Sequence, residues 1–492
     1  MDSAGAEKWQ EVPEPRLEPT SDTARLPAVP SLFPAAAVDV PRFSTINCIS
    51  GFSPSPPEAL ATLAFRSTHW SFQLAFAILL TCGLVPAAFA AKAGFTPQAR
   101  VGFDVGDQWE PAVASDGFGH TYILYPQYGR VPGCRACPLP SMILVVSNDN
   151  GATWQSPREM TPPGTGQYDP QIVVDPADHR TVYAAWLQSK RLDMIVAKSV
   201  DFGQSWSIIV ADRGVTDADK PVLAVRGQDV YVGFNRARKM WVASSHDGGI
   251  TFTSADVGPK LKLVRSLAGG ATVDPHGSVY LAWAGYTRHD GAKGRENLYV
   301  SKSSDGGESW ATRLMDVSGA PPDCAPYHCE WGYLGAQITM TSDAAGTLYA
   351  LWNSGAEDKS PARIYFASST TAGDTWSPRL NVSTAPSSVE HAFPALAAGE
   401  AGDVRIAWMD TRNNPLWNTY YRSSTNGGAT WLGESRISSY AEGYRYIRPR
   451  GFSFPFGDYF AIGIDNQGQT QAVWGEGLNF RSPGSIWHSS GR

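Results

Sequence analysis

The chain has no run of basic residues, and its 40 Lys and Arg are matched by 46 Asp and Glu, for a formal net charge of −6. A protein that binds nucleic acid concentrates basic side chains on one surface, so this balance argues against a nucleic-acid partner. The sequence also contains no nucleophile elbow, P-loop, dinucleotide-binding glycine motif or HExxH zinc motif. We therefore expect no resident cofactor and no metal.

Cysteine is scarce, with six in the chain. Two of them precede the predicted folded region, and the other four are Cys134, Cys137, Cys324 and Cys329. Four cysteines allow three pairings, and an exported protein favours disulfides over free thiols. We therefore expect disulfides. The alternative is a zinc site formed by both pairs together with His328.

The N-terminal region differs in composition from the rest of the chain. Residues 1–60 are rich in Pro, Ala, Ser and Glu and show no sustained period. Because this composition cannot bury enough apolar surface to fold, we expect a disordered leader.

Residues 61–90 contain a long apolar run from Trp70 to Ala90, which ends in the small-x-small pattern Ala88-Phe89-Ala90. We interpret this segment as a secretory signal peptide. The true start would then lie near residue 60. The run is also long enough to span a bilayer, so a membrane anchor after a cytoplasmic tail is the alternative. Both interpretations place residues 95–492 outside the cytoplasm, in a secreted or extracytoplasmic domain.

A turn pattern recurs six times along the chain. Its copies are residues 147–154, 199–206, 245–252, 303–310, 369–376 and 424–431. Each follows an apolar strand and approximates S-x-D-x-G-x-T-W, where Asp accepts turn N–H bonds and Gly supplies a positive φ. The pattern predicts a hairpin turn whose closing aromatic packs on the neighbouring repeat. The fifth copy has Thr371 instead of Asp, so we expect its turn to be the least well held.

A second periodic feature gives a count of seven. Strands that end in an aromatic precede the turns, at Tyr125, Trp186, Phe234, Trp283, Trp352, Trp408 and Trp474. The seventh repeat ends without its fourth strand, and residues 99–105 resemble the missing one. Pairing of the two chain ends would remove an open sheet edge. The sequence thus predicts an all-β, seven-bladed β-propeller of four-stranded antiparallel blades over residues 95–492, with six blades as the alternative.

The repeated turn resembles the Asp box, or BNR repeat, of the sialidase (neuraminidase) superfamily, and the resemblance covers residues 99–492. It implies a propeller with its site at one mouth of the central channel. It also implies a glycoside hydrolase of the exo-α-sialidase type that acts on glycans. A non-catalytic propeller at the cell surface that binds carbohydrate or protein is the alternative. We expect a monomer that touches a membrane only through an N-terminal anchor.

Two features depart from the sialidase pattern. Sialidases have six blades rather than seven. They also carry an Arg-Ile-Pro motif near the start of the domain, to which YGRVPG at residues 128–133 is only a faint counterpart.

The resemblance assigns roles to polar residues at the starts of the inner strands and just after the strand aromatics. Glu330 and Tyr333 would form the nucleophile pair, with Asp169 or Asp219 as the acid. An arginine clamp would use Arg265, Arg412 and one of Arg236, Arg445 or Arg448. Further ligand-binding candidates are Glu110, His391, Asp410, Asp458 and Tyr459. Each carboxylate could instead accept backbone N–H bonds from an adjacent loop.

An aromatic and basic loop at residues 444–459 precedes the last blade. We expect it to lie over one mouth of the channel, where Arg and Tyr side chains suit sugar or peptide binding. The alternative is a packed plug between blades.

Overall fold

The computed structural model describes residues 94–160, 165–216, 218–258, 260–287, 294–322, 334–413, 416–438, 457–477 and 484–492. The predicted leader and signal segment lie outside these residues, so their limits stay predictions. Seven other residues named above also lie outside them, namely Cys324, His328, Cys329, Glu330, Tyr333, Arg445 and Arg448, as does the predicted aromatic and basic loop up to residue 456. Among the described residues, no helix is long and apolar enough to cross a bilayer.

The described chain is built of strands. Those of the first three blades are β2 Asp107–Gln108, β3 Ala112–Ser115, β4 Thr121–Tyr128, β5 Ser141–Ser147, β6 Arg158–Glu159, β7 Tyr168–Val174, β8 Val182–Gln188, β9 Asp193–Ser199, β10 Ser207–Arg213, β11 Val222–Arg226, β12 Asp229–Arg236, β13 Lys239–Ser245 and β14 Thr253–Asp256. Those of the next two are β15 Arg265–Val273, β16 Val279–Tyr286, β17 Glu296–Ser303, β18 Ala311–Ser318, β19 Ile338–Ser342, β20 Leu348–Ser354, β21 Arg363–Ser369 and β22 Leu380–Asn381. The last two contain β23 His391–Ala398, β24 Val404–Asn413, β25 Leu416–Ser424, β26 Ser435–Arg436, β27 Ala461–Ile464, β28 Thr470–Gly477, β29 Gly484–Gly491 and, from the N-terminal side, β1 Ala99–Arg100.

These strands form seven antiparallel sheets, which are the blades of a seven-bladed propeller. The predicted fold is therefore confirmed, and the six-bladed alternative is wrong. In each blade the first strand lines a central channel that encloses about 940 Å³. In the first blade this inner position is shared, because β2 and β3 pair in turn with the same strand, β4.

The ring closes by pairing the two ends of the propeller. Strand β1 pairs with β29 through Ala99 opposite His488 and Arg100 opposite Trp487. The Thr96 N–H donates to the Ser490 carbonyl at 2.8 Å. The last blade thus takes its fourth strand from the N-terminal side, as predicted, and its outer edge is covered.

The second strand of each blade carries the predicted aromatic into the core. All seven aromatics are at most 1% exposed. Adjacent blades share apolar clusters, as where Leu124 of the first blade and Trp186 of the second lie in one cluster. Burial of the large rings between neighbours therefore supplies much of the packing between blades.

The repeated turns have the predicted hydrogen bonds. Asp149 accepts the Thr153 N–H at 2.8 Å and the Thr153 hydroxyl at 2.6 Å, and the Ser147 hydroxyl accepts the Gly151 N–H at 2.8 Å. In the fifth turn the Thr371 hydroxyl accepts the Thr375 N–H at 2.8 Å in place of the carboxylate. The turn keeps its shape there but has one neutral acceptor oxygen instead of two charged ones.

The closing aromatics of these turns are only half-buried. Trp154 packs edge-on against His488 of the last blade, with ring centroids 4.9 Å apart. Trp431 packs in the same way on Phe366 of the fifth blade, at 5.0 Å. Both rings therefore contact the preceding blade, as expected, and remain partly exposed.

Cys134 and Cys137 form a disulfide with a Cα–Cα distance of 5.5 Å. The expectation of disulfides is confirmed for this pair, which closes a short loop between β4 and β5.

Candidate functional site at one end of the channel

In four blades, a residue with a left-handed backbone conformation, followed by a proline, lies at the start of the inner strand. Glu110, Asp169, Lys220 and Phe393 have φ values of 55°, 56°, 44° and 57°. A bulky residue rarely occupies this region, at a cost of about 1–3 kcal/mol, and such strain concentrates at functional sites. In the second and sixth blades the pair forms a bulge in the strand. The bulge turns the side chain away from the regular alternation of the strand.

These positions are equivalent by register. In the second strand of each blade, the residue just before the buried aromatic pairs with a residue of the inner strand. In the first blade, Leu124 precedes Tyr125 and pairs with Ala112. The left-handed residue lies two positions before this inner-strand residue, as Glu110 lies before Ala112.

The equivalent residues in the fifth and seventh blades are Gln337 and Tyr459. Of the residues predicted at the starts of the inner strands, Glu110 and Asp169 occupy this position. Asp219, His391 and Asp458 lie one or two residues before it, and the structure places Lys220, Phe393 and Tyr459 there.

Charged side chains from five blades meet at this end of the channel. Lys220 Nζ lies 3.1 Å from Asp458 Oδ2, and Arg265 Nη2 lies 2.6 Å from Asp219 Oδ2. Gln337 Nε2 donates to the Asp458 carbonyl at 3.0 Å. We call Glu110, Asp169, Asp219, Lys220, Arg265, Asp458 and Tyr459 the channel-end cluster.

Two carboxyl groups of the cluster are buried and incompletely bonded. Glu110 Oε1 accepts the Asp458 N–H at 3.1 Å, but among the described residues neither Glu110 Oε2 nor Asp169 Oδ2 has a hydrogen-bond partner. Burial raises the pKa of Glu110 well above its usual range, Asp458 and Asp169 raise it further, and Lys220 lowers it. Burial also raises the pKa of Asp169, with a further rise from Asp219 that Arg191 opposes. Burial therefore shifts the balance of both groups toward the protonated form.

Aromatic side chains line the same region. The Lys220 ammonium lies 5.7 Å from the centre of the Tyr459 ring, and both residues border the channel. The Tyr459 hydroxyl is buried with no partner in the described part of the chain. Trp109, which precedes Glu110 in the sequence, stacks on Tyr128 with the two ring centroids 4.2 Å apart. Aromatic faces next to unbonded polar atoms suit the two faces of a sugar ring.

Arg191 reaches the cluster from a strained hairpin between β8 and β9. Ser189, Lys190 and Arg191 have consecutive φ values of 57°, 59° and 63°. Residues other than glycine seldom adopt the left-handed conformation in series, so this turn is unusual. It holds Arg191 Nη1 3.8 Å from Asp219 Oδ1. Neither Arg191 nor Gln337 was a sequence candidate, since nothing in the residue pattern marks a left-handed turn made of Ser, Lys and Arg.

The other described arginine candidates have their partners elsewhere. Arg236, at the end of β12 in the third blade, bonds Asp212 at 3.2 Å and the Arg213 carbonyl at 2.8 Å, both in the outermost strand of the second blade. Arg412 bonds Asp410 and Glu434 within the sixth blade. The structure therefore does not bring Arg236, Arg265 and Arg412 around one anion.

His391 lies in a buried network between the fifth and sixth blades. Its Nδ1 faces the Ala362 carbonyl at 2.8 Å, and its Nε2 lies 2.8 Å from the Ser383 hydroxyl. Burial lowers the pKa of His391 to about 4, so the ring is neutral near pH 7. Asp410, 3.8 Å from Nε2, is bound by Arg412 and by Trp408 Nε1. This network joins blades and does not touch the channel-end cluster.

Residues 98–330 match the family described as a BNR repeat-like domain. No curated protein matches the chain. Among solved structures it is similar to a Hadza microbial sialidase, with 13% identity over 80% of this chain and 68% of that one and a TM-score of 0.43. It is similar to an ulvan lyase, with 12% identity over 79% and 95% and a TM-score of 0.46. It is also similar to YCF48 bound to a D1 peptide, with 12% identity over 80% and 96% and a TM-score of 0.42. At these identities the likeness concerns the fold alone.

Proposed function

We propose that this sialidase-like propeller of BNR repeats is an exported glycan-binding protein whose ligand binds at the channel-end cluster. One observation carries the proposal. Glu110 Oε2, Asp169 Oδ2, Arg265 Nε and Tyr459 OH are buried at the same end of the channel, each without a partner among the described residues. An unmade buried hydrogen bond costs about 1–3 kcal/mol, so four together indicate groups reserved for a ligand.

The chemistry of these groups suits a ligand rich in hydroxyls. Protonated carboxyls and a phenol both donate and accept hydrogen bonds, and Arg265 Nε donates one. Tyr459, which borders the channel, adds the apolar face of its ring. Export is inferred from the apolar segment that ends at Ala90 and from the disulfide between Cys134 and Cys137.

The binding test uses a glycan array followed by calorimetry on the best ligand. The Glu110→Ala, Asp169→Ala double variant should weaken binding at least about tenfold, since both carboxyl groups and their bonds to the ligand are removed. Glu308→Ala, on the exposed turn of the fourth blade, is the matched control and should bind like the parent protein. Equal affinity of the parent and the double variant for the ligand would contradict a binding site at the channel end.

Glycoside hydrolysis at the same place is a second candidate, and a separate observation favours it. Glu110 and Asp169 are two buried carboxyls with raised pKa, and the charge of Asp169 raises the pKa of Glu110. A general acid that keeps its proton near neutral pH is what cleavage of a glycosidic bond requires. One of the two would keep its proton and act as the acid, and the other, once ionised, would act as the base on a sugar held over Tyr459.

Release of the aryl group from a panel of aryl glycosides, an aryl sialoside included, tests this activity. Turnover that falls about a hundredfold or more in either Glu110→Gln or Asp169→Asn would support hydrolysis. Glycan binding without turnover of any substrate would show that the propeller binds glycans but does not hydrolyse these glycosides. Turnover of the sialoside alone that needs Arg412 would contradict the proposed site, because Arg412 lies outside the cluster.

A further inference from the structure

A second group of polar side chains lies in the first blade, apart from the channel-end cluster. Cys134 and Cys137 occupy the loop between β4 and β5, and Glu159 lies in β6 of the same sheet, opposite Ile143. Cys134 Sγ is 3.9 Å from Glu159 Oε2. One donor atom from each of the three residues lies within 4.8 Å of the other two.

Protein contacts leave one oxygen atom of the Glu159 carboxyl unbonded among the described residues. Its Oε1 is buried without a hydrogen-bond partner in the described part of the chain. No salt bridge to a lysine or arginine joins Glu159 among the described residues. A partly buried carboxylate without a cation beside two cysteine sulfurs supplies the set of donors that a metal site uses.

The type of cation follows from the donors. Two thiolates and one carboxylate suit a borderline-soft divalent ion of the Zn²⁺ class, whereas Ca²⁺ and Mg²⁺ prefer oxygen alone. The Cys-x-x-Cys spacing is typical of thiolate pairs that share one ion. Three protein donors leave a fourth tetrahedral position for water.

We propose that Cys134, Cys137 and Glu159 form a redox-gated site for a zinc-class cation, which is filled only when the disulfide is reduced. In the oxidised protein both sulfurs are committed to the S–S bond. Two external thiols reduce this bond: they are oxidised to one disulfide, and Cys134 and Cys137 become thiols. The cation then binds as the two thiols release their protons. Exchange with an external disulfide, which takes up two protons and is reduced to two thiols, re-forms the Cys134–Cys137 bond and releases the cation.

The experiment uses Co²⁺ as the probe, because a thiolate–Co²⁺ complex absorbs in the near ultraviolet and the visible. The protein is reduced with a phosphine, the reductant is removed, and Co²⁺ is added without oxygen. We expect the reduced protein to gain about one thiolate-bound ion per chain at these residues and the oxidised protein to gain none. Zn²⁺ should displace Co²⁺ and bleach the visible bands, since it binds such sites more tightly.

Variants separate this site from the remaining cysteines. The Cys134→Ser, Cys137→Ser double variant should lose the spectrum while keeping Cys324 and Cys329. Glu159→Gln should weaken Co²⁺ binding at least about tenfold, and Glu308→Gln should leave it unchanged. Tryptophan fluorescence checks that each variant is folded. Bands that persist in the double variant, or equal affinity in Glu159→Gln and the parent, would overturn the proposal.

Discussion

The Asp458 N–H donates a hydrogen bond of 3.1 Å to Glu110 Oε1 and so joins the last blade to the first at the end of the channel. The side chain of Asp458 turns to the third blade, where Lys220 Nζ lies 3.1 Å from Oδ2. Lys220 is 8% exposed and Asp458 15%. One residue of the last blade therefore links three blades through a nearly buried ion pair.

Removal of the Lys220 charge should destabilise the protein. In Lys220→Met the Asp458 carboxylate loses its cation, and we expect the free energy of unfolding near pH 7 to fall by about 3 kcal/mol. Denaturant titration measures the loss. In the double variant Lys220→Met, Asp458→Asn most of it should be recovered, since no unpaired charge remains. A double variant no more stable than Lys220→Met would show that the pair contributes through packing instead.

The buried carboxyl of Glu476 should make the protein less stable as pH rises. Burial raises the pKa of Glu476 to about 8, although Trp474 Nε1 and Gln98 Nε2 donate to it at 2.8 and 3.2 Å. The folded state therefore holds a proton that the unfolded chain, with a pKa of about 4.3, has lost. Its contribution is complete below about pH 4.3 and disappears as pH rises through about 8.

Thermal melts over this pH range test the sign. The melting temperature should fall with rising pH, and Glu476→Gln should make that fall shallower, because glutamine keeps the acceptor but does not ionise. Some slope should remain in the variant, since the pKa values of Glu110 and Asp169 are raised as well. Identical slopes in variant and parent would show that Glu476 does not titrate in the folded protein.

The blades were predictable from sequence because their signals are local and repeated. Four of the six turns are fixed by their own Ser and Asp, and Thr371 and Asn426 replace Asp in the other two. Each of the seven repeats also has an aromatic at the same strand position, so tertiary contacts need not be known.

The site was predictable only in part. Glu110 and Asp169 each precede a proline, and alignment on that proline would also have selected Lys220 and Phe393. Arg191 depends on a left-handed turn that only the folded hairpin reveals.

Closure of the ring should depend on the backbone of the N-terminal strand. Thr96→Pro removes the N–H that bonds the Ser490 carbonyl, and we expect a loss of about 1–3 kcal/mol in the free energy of unfolding. Thr96→Ala keeps this N–H and loses only the contacts of the Thr96 hydroxyl with the Ser489 hydroxyl and the Ser490 N–H, so the free energy of unfolding should fall less. Denaturant titration of both variants is the measurement. Equal losses would assign closure to the side chain and not to strand pairing.

The fifth turn offers the opposite kind of test, a predicted gain in stability. Thr371 is the only residue at the Asp position of the six turns that is neither Asp nor Asn. A carboxylate there could accept both the N–H and the hydroxyl of Thr375, as Asp149 does from Thr153. We expect Thr371→Asp to raise the free energy of unfolding by about 0.5–1 kcal/mol.

A matched variant separates this geometric effect from an added surface charge. Thr375→Asp places the same carboxylate four residues later, where it cannot accept the bonds that close the turn. It should leave stability unchanged or lower it. If Thr371→Asp did not raise the free energy of unfolding and the reverse change Asp149→Thr did not lower it, the carboxylate would be dispensable in these turns. The low pKa of Asp149, which arises chiefly from its bonds with Thr153, argues that the carboxylate is held in its charged form and stabilises the turn.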